Sequence, residues 1–228
     1  MSKEIKMNRR EFVLASAATG ALLVAANPGS VFAQELKPIQ LPKPQIDGGK
    51  PLMQCLKERK TTREYSAQKI PLQVLSNLLW AACGINRPEP PGWRTAPTGA
   101  NIQNVDIYVA IEEGTYVYDA KANMLTQVLA EDIRAFSGRQ TTSKLDDSPL
   151  NLIYVVDLSK FTRNPELFVA YAFAHAAFIA QNVYLFCASE GLATVARISY
   201  DKATVVKKLK LKINQYPTFV SSIGYPKK

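Results

Sequence analysis

Apolar residues recur at helical spacing in four stretches of moderate length. Residues 51–60 and Pro71–Gly84 both begin with proline, which is favoured in the first turn of a helix, and the second stretch ends in glycine. Residues 201–211, DKATVVKKLKL, show the same spacing, and so do residues 125–136, LTQVLAEDIRAF. We therefore predict a helix in each of these stretches.

The longest apolar stretch is Asn164–Leu192. Its residues are apolar on almost every face, Asn164 can cap the start of a helix, and Gly191 can end one. The length raises the question of a membrane span, but polar residues including Glu166, His175 and Glu190 interrupt the run. We predict a long central core helix.

Other apolar stretches have the character of strands. Residues 105–111 and 115–120 flank Glu113-Gly114 and indicate a hairpin, and residues 150–158 are almost continuously apolar, as in a strand buried on both faces. Residues 194–198 and 217–226 are predicted as two further strands. Helices mixed with a sheet that needs long-range pairing indicate an α+β domain over residues 51–228.

Two segments lack such periodicity. Residues 34–50 are rich in Pro, Gly and Lys and are predicted to form an extended arm or linker. Residues 85–104 contain four prolines and two glycines, and we predict a long ordered loop without regular elements. Long loops in compact domains often carry function.

The composition narrows the possible chemistry. The 228 residues carry a net charge of +9, which favours anionic partners, but only Lys207–Lys212 forms a basic patch, so nucleic acid is not an expected partner. Three cysteines argue against a disulfide framework. The single histidine, His175, disfavours a zinc site or a Ser-His-Asp triad.

The N-terminus has the features of an export signal. Arg9-Arg10 precedes an apolar stretch, and Val31 and Ala33 are suited to cleavage after residue 33. We predict a twin-arginine signal peptide over residues 1–33 and a periplasmic or otherwise extracytoplasmic protein without stable membrane insertion after cleavage. An ordinary secretion signal and an uncleaved anchor remain alternatives. The twin-arginine route carries folded proteins, often with a cofactor already inserted.

A cluster of cations and hydroxyls follows the first predicted helix. In Arg59-Lys60-Thr61-Thr62-Arg63 the charged groups and hydroxyls could bind a phosphate through charge-assisted hydrogen bonds. The same residues could equally form a solvated turn.

Five segments, in order, resemble the nitroreductase-like flavoproteins. Arg59–Arg63 resembles the Arg-(Arg/Lys/His)-Ser-x-Arg/Lys motif with which that family opens, and RTAPTGANIQNVDIYV resembles its Ala-Pro-Ser-x-x-Asn-x-Gln loop. FSGRQTTSKLDDSPLNLIYVVD resembles its Gly-x-Gln segment, and residues 175–195 and 221–228 resemble its long helix and its final Ile-Gly-Tyr-Pro strand. The Arg-Thr before Ala-Pro and the Gly-x-Gln segment are similar to the branch that includes the azoline oxidases.

This resemblance implies a nitroreductase-like fold and a homodimer with FMN at the subunit interface. Arg59, Lys60, Thr61 and Arg63 would hold the phosphate and ribityl chain, with Lys227 or Lys228 also reaching the phosphate. Gln140 would bond the pyrimidine edge of the flavin. Other positions implied to contact the isoalloxazine are Pro97, Thr98, Gly99 and Asn101 from the partner subunit, and the turn Ala196, Arg197, Ile198 and Ser199 near flavin N5 and O4.

The turn after the long helix departs from the family pattern. It lacks the glycine that permits close backbone approach and positive φ. Arg197 would either point at the flavin and favour its anionic reduced form or be solvated. His175 is expected to be a satisfied core histidine, with a flavin contact as the alternative.

The resemblance further implies an FMN-dependent oxidoreductase. It would transfer hydride through flavin N5 by a ping-pong mechanism, without a catalytic side chain, on a small organic substrate. The electron donor would be NAD(P)H or an unknown extracytoplasmic donor. The alternatives are a non-catalytic protein that binds FMN or another phosphorylated ligand, and a basic surface-interaction protein without a cofactor.

Overall fold

A seven-stranded antiparallel sheet lies at the centre of the computed structural model, which describes residues 37–138, 148–162 and 165–227. Its strands are β1 (Ile39–Gln40), β4 (Val105–Ile111), β5 (Gly114–Asp119), β6 (Met124–Leu129), β7 (Leu150–Asp157), β8 (Ala193–Arg197) and β9 (Gln215–Gly224). From edge to edge their order is β1-β6-β5-β4-β7-β9-β8. Between β1 and β4 in the chain, β2 (Ile85–Arg87) and β3 (Trp93–Arg94) form a separate hairpin.

Helices cover both faces of this sheet. They are α1 (Leu52–Glu58), α2 (Leu72–Cys83), α3 (Arg134–Gly138), α4 (Phe168–Glu190) and α5 (Lys202–Lys208). On one face, side chains of α2 and α4 such as Leu78 and Ile179 form a core with the sheet. On the other face, Val205 of α5 and Ile133 just before α3 form a second core. The order of elements and the antiparallel sheet confirm the α+β prediction.

Strand β7 lies between the two cores, and this position explains why its sequence is almost wholly apolar. Leu152 and Tyr154 face the α2 and α4 side, whereas Ile153 and Val155 face the α3 and α5 side. All four are fully buried. Since side chains of a strand alternate between faces, a strand covered on both sides must be apolar at every position.

Local capping explains several helix boundaries. The backbone N–H of Gly84 donates to the carbonyl of Trp80 at the end of α2, and the Asp201 carboxylate accepts from the N–H of Thr204 at the start of α5. Gly191 ends α4 in the left-handed conformation, with φ 69°, as predicted. The predicted cap at Asn164 lies outside the described residues.

The predicted helix over residues 125–136 is wrong. Met124–Leu129 forms β6, paired with both β5 and β1, and the helical turn α3 begins only at Arg134. Within β6 the side chains alternate, with Leu125 and Gln127 buried and Thr126 and Val128 exposed. This period of two, with β-branched residues on the solvent side, suits an outer strand better than a helix.

The prediction that residues 85–104 lack regular elements is also wrong. The β2–β3 hairpin and a 3-10 turn at Gly99–Asn101 lie within them. In the predicted arm, Ile39–Gln40 pairs with β6, and the adjacent Leu41 is buried in the core. Irregular composition therefore conceals short elements whose partners are distant in the sequence.

Helix α4 combines core and surface character. By length and composition it could cross a membrane, a test that the core helix of a soluble protein also passes. Ala176, Ile179 and Val183 are buried against the sheet and α2, whereas Val169, Tyr171 and Phe178 are exposed. The helix thus packs on the core by one face and presents a second apolar face to the outside.

Candidate functional site

The cation segment Arg59–Arg63 lies beside strand β8. The N–H of Arg59 donates to the carbonyl of Cys55 and closes α1, after which the backbone becomes extended. The N–H of Thr62 then donates to the carbonyl of Thr194 at 2.9 Å. Arg59 is half-buried, and Lys60, Thr61 and Arg63 are exposed.

The C-terminal strand brings another lysine to this segment. Tyr65 forms a bridge with Pro226, and the N–H of Ser66 donates to the carbonyl of Tyr225. A cavity of about 520 Å³ opens here, and its lining includes Lys60, Thr62, Lys227 and Thr194. Arg59, Thr61 and Arg63 belong to the same segment but do not line this cavity.

The charge of this cavity suits an anion. Besides Lys60 and Lys227, the described part of its lining contains Lys50 and one carboxylate, Glu58. Lys50 and Glu58 form an ion pair at 2.7 Å, so their charges largely cancel. The ammonium groups of Lys60 and Lys227 are left, and with the Thr62 hydroxyl they match the needs of a phosphate.

Tyr184 of α4 joins the cation segment to the turn after the long helix. Its ring lies 5.3 Å from the guanidinium carbon of Arg59, and its hydroxyl is 3.1 Å from the hydroxyl of Thr61. The same hydroxyl accepts the N–H of Ala196 at 3.0 Å. Its proton is thus available to Thr61. No sequence motif distinguishes Tyr184 from the other aromatic residues of the helix, so no role was predicted for it.

Only part of the predicted turn Ala196–Ser199 lies outside the sheet, because β8 continues to Arg197. Ala196 is half-buried and its N–H is occupied by Tyr184, whereas Ile198 and Ser199 are exposed. Arg197 is only 4% exposed, so the alternative of a solvated Arg197 is excluded. The backbone N–H groups of Ile198 and Ser199 remain candidates for a contact with a ligand.

The Arg197 guanidinium lies on the α3 side of the sheet, away from Tyr184. Its Nη2 donates to the carbonyl of Ser137 and to the hydroxyl of Ser222, which is also bonded to Asn151. Nε and Nη1 have no hydrogen-bond partner among the described residues. Burial lowers the pKa of this guanidinium, and the neighbouring Tyr65 only partly offsets that effect.

The second predicted group, Pro97, Thr98, Gly99 and Asn101, lies at the other end of the sheet, just before β4. Ala100, Asn101 and Gln103 all have positive φ, between 44° and 52°, which is unusual for residues other than glycine. Pro97 and Gly99 are exposed, and Thr98 and Asn101 are half-buried. Several hydrogen bonds must hold so unusual a backbone.

Gln103 supplies many of these bonds. Its side-chain oxygen accepts from Nε of Arg94, its amide group donates to the carbonyl of Gly92 and to Oδ1 of Asn101, and its carbonyl accepts from Lys160. Gln103 matches the glutamine of the loop motif in sequence, but no role was predicted for it.

His175 holds the same loop from α4. The N–H of Gly99 donates to Nε2 of His175 at 2.8 Å, and Nδ1 of His175 lies 2.8 Å from Oδ1 of Asn104. His175 is 2% exposed, and its burial lowers the pKa of the imidazole. The prediction of a satisfied core histidine is confirmed.

The two predicted groups are separated within one chain. Tyr184 contacts the cation segment and His175 contacts the loop around Gly99. These two residues are nine positions apart on α4. At a rise of about 1.5 Å per residue this corresponds to roughly 13 Å along the helix axis. The exposed apolar residues Tyr171 and Phe178 lie on the same helix.

Two predicted site residues, Gln140 and Lys228, lie outside the described residues. In the part of the chain that the structure describes, no cluster of His, Cys, Asp and Glu side chains is suited to a metal ion.

Comparisons with known proteins find similarity to nitroreductases. A sequence model of the nitroreductase family matches residues 56–225. A curated protein of Methanocaldococcus jannaschii, provisionally named as a nitroreductase, is 28% identical over 183 residues, which cover 76% of this chain and 90% of that protein.

Solved structures show the same fold. A provisionally named nitroreductase of Ralstonia eutropha JMP134 is 35% identical and superposes with a TM-score of 0.79, over 84% of this chain and 90% of that one. A Desulfovibrio desulfuricans protein of similar provisional name, crystallised with FMN, is 15% identical with a TM-score of 0.56, over 79% of this chain and 89% of that one.

Proposed function

Since the chain belongs to the nitroreductase family, we propose that it is an FMN-dependent oxidoreductase acting on small organic substrates. The observation that carries this proposal is the basic cavity beside β8, where Lys60, Thr62 and Lys227 converge next to the Arg59–Tyr184 pair. FMN, when bound, supplies the redox chemistry, in two half-reactions of two electrons each. This accounts for the lack of an evident acid–base pair among the described residues.

The residues present fit the phosphate end of FMN. A phosphate monoester carries nearly two negative charges at neutral pH, and the ammonium groups of Lys60 and Lys227 supply the opposite charge in the cavity. The Thr62 hydroxyl adds a donor. Arg59 and Arg63 would extend this positive field, and Tyr184 holds Arg59 through its ring.

We propose that the active form is a homodimer in which α4 packs against the partner's α4. In an antiparallel pair centred near Phe178, the His175 end of one helix would lie beside the Tyr184 end of the other. The loop around Gly99 would then complete the site begun by Arg59–Arg63 of the partner copy. The exposed apolar side chains of Val169, Tyr171 and Phe178 favour this packing.

The electron donor and the location are further proposals. We propose twin-arginine export, supported by Arg9-Arg10, because that route accommodates a protein that already holds its cofactor. NAD(P)H is scarce outside the cytoplasm, so an extracytoplasmic donor or oxidation of an organic substrate suits this location better. A position near the azoline oxidases rests on the Arg-Thr before Ala-Pro and on the Gly-x-Gln segment.

One observation favours a second candidate, a non-catalytic FMN-binding protein. The turn Ala196–Ser199 lacks glycine, and Tyr184 occupies the N–H of Ala196, which leaves fewer backbone donors for the reactive part of a flavin. Such a protein would hold the cofactor without productive turnover.

A flavin-loading experiment separates these functions. Residues 34–228 are produced, and visible absorption is recorded with and without added FMN. We expect one flavin per chain, reduced by dithionite or NADH and reoxidised by a quinone or a nitroaromatic compound. Bound flavin that no donor and acceptor pair turns over would support the non-catalytic protein, and a colourless chain that does not take up FMN would overturn both proposals.

A further inference from the structure

The orientation of the single histidine determines its protonation state. The backbone N–H of Gly99 can only donate, so Nε2 of His175, which receives it at 2.8 Å, must carry a lone pair. The proton of the neutral ring is therefore on Nδ1, from which it is donated to Oδ1 of Asn104. The cationic ring has N–H groups at both nitrogens and cannot accept the bond from Gly99.

His175 holds the strained part of the loop through a hydrogen bond from α4. Directly after Gly99, Ala100 and Asn101 adopt positive φ. A Cβ atom at position 99 would lie 3.4 Å from Tyr171 and 3.5 Å from Nε2 of His175, in ordinary van der Waals contact, so the backbone of Gly99 lies directly beside the helix. If His175 can no longer accept the N–H of Gly99, the strained backbone after Gly99 loses one of the hydrogen bonds that hold it.

We propose that neutral His175 is a positioning residue that holds Gly99, and with it Thr98–Asn101, in the conformation that binds FMN, and that protonation of His175 releases this segment. The inference rests on the proposed function for the identity of the ligand. The link between His175 and the loop is independent of that function.

The surroundings of His175 favour the neutral ring. Phe161 stacks on it with ring centroids 6.1 Å apart, and Tyr171 of α4 lies at 5.6 Å. Among the described residues, the other titratable groups near the His175 ring contact it only through neighbouring residues. Lys160 bonds the carbonyl of Gln103, and Asp157 donates its backbone N–H to the carbonyl of Asn104. Asp106, two residues after Asn104, has a pKa raised by burial.

The direction of the pH effect follows from these contacts. Burial lowers the pKa of His175 below its ordinary value of about 6.5. The bond to Gly99 is therefore complete above the ordinary pKa and is lost as the pH falls through the lower value of the folded protein. Affinity for FMN should weaken in the same acidic range.

A spectroscopic measurement tests the link without a flavin. Because the chain has one histidine, 15N-histidine labelling gives one imidazole in the NMR spectrum of the FMN-free protein. We expect the tautomer protonated at Nδ1, a depressed pKa, and a shift of the Gly99 amide on the same titration. A ring protonated at Nε2, or an ordinary histidine titration, would overturn the proposal.

Variants test the effect on the ligand. His175→Leu removes the acceptor, and we expect roughly tenfold weaker FMN binding at about pH 7.5, because an orphaned N–H remains. His175→Gln keeps an acceptor that does not titrate, so affinity should recover to within about threefold, with a flatter pH profile. Ile179→Val, buried one turn further along α4, is the control for general loosening of the core.

The pH profile needs a probe without its own titration. The phosphate of FMN has a second pKa of about 6, so riboflavin is titrated in parallel from about pH 7.5 down to the lowest pH at which circular dichroism shows folded protein, because the pKa of His175 is lowered. Wild-type protein should lose riboflavin affinity at acidic pH and His175→Gln should not. Equal profiles in both, or wild-type affinity in folded His175→Leu, would overturn the proposal. Failure to bind any flavin would overturn the proposed function alone, since the NMR result still decides the link.

Discussion

The hydroxyl of Tyr184 accepts the backbone N–H of Ala196 at 3.0 Å. The same oxygen lies 3.1 Å from the hydroxyl of Thr61. One phenol on α4 thus connects the end of β8 with the cation segment, two parts of the chain that meet only in the folded protein.

Tyr184→Phe should weaken FMN binding while leaving the fold intact. The change keeps the ring below Arg59 but removes both hydrogen bonds, each worth about 1 kcal/mol. We expect a several-fold rise in the Kd for FMN by fluorescence titration. Tyr216→Phe, which removes the hydroxyl that accepts from Lys202 outside both predicted groups, is the control. Unchanged affinity in Tyr184→Phe would show that the hydroxyl does not organise the site.

Arg59→Ala and Arg63→Ala should each reduce FMN affinity by roughly tenfold or more, because hydrogen bonds to a charged group are worth about 1.5–3 kcal/mol. Lys57→Ala, which removes a cation from the last turn of α1, tests for a general effect of charge. The measurement is flavin retention after gel filtration, with circular dichroism to confirm folding. If both arginine variants retain FMN like the wild type, the segment is a solvated turn.

Phe178→Glu should produce monomers that do not retain FMN. Phe178 is 46% exposed on the apolar face of α4, where a buried carboxylate would oppose association. The matched control is Ile213→Glu, since Ile213 is fully exposed but lies outside this helix. Light scattering reports mass, and absorbance reports flavin. A monomeric variant that loads FMN normally would show that one chain is sufficient.

Substitution of Arg197 should not lower the stability of the protein, whereas substitution of Ser222 should lower it. Arg197→Met removes a buried cation, two of whose nitrogens have no hydrogen-bond partner among the described residues, so we expect stability equal to or above that of the wild type. Ser222→Ala removes an acceptor of the guanidinium and should cost about 1–3 kcal/mol. Urea unfolding of FMN-free protein measures both. A large loss of stability in Arg197→Met would indicate that this guanidinium has a further partner.

Replacing Arg9 and Arg10 with lysine should abolish export of the full-length chain if the twin-arginine route is used. Fractionation of cells that produce each form, with detection of the mature chain, measures the effect. Continued export of the Lys-Lys form would instead favour the ordinary secretion route.

Much of the fold could be predicted from local patterns. Helix α2 lies between Pro71 and Gly84 as expected, and the double-sided burial of β7 follows from its apolar sequence. Where an element depends on a distant partner, the pattern failed. The apolar residues of Met124–Leu129 belong to a stretch with helical spacing, but these residues form a strand because β5 and β1 pair with them.

In the candidate site, too, some features follow from the local sequence and others depend on residues that are distant in the chain. The sequence by itself determined which residue types could bind a phosphate, because Arg59, Lys60 and Arg63 are contiguous and their charges need no fold to be recognised. Only the tertiary structure decided that Lys227 lines the same cavity as Lys60, that Arg197 faces the opposite side of the sheet, and that His175 holds Gly99. These relationships depend on strand register and helix packing, which bring together groups as many as 167 positions apart (227 − 60). Local periodicity contains no information about such distances.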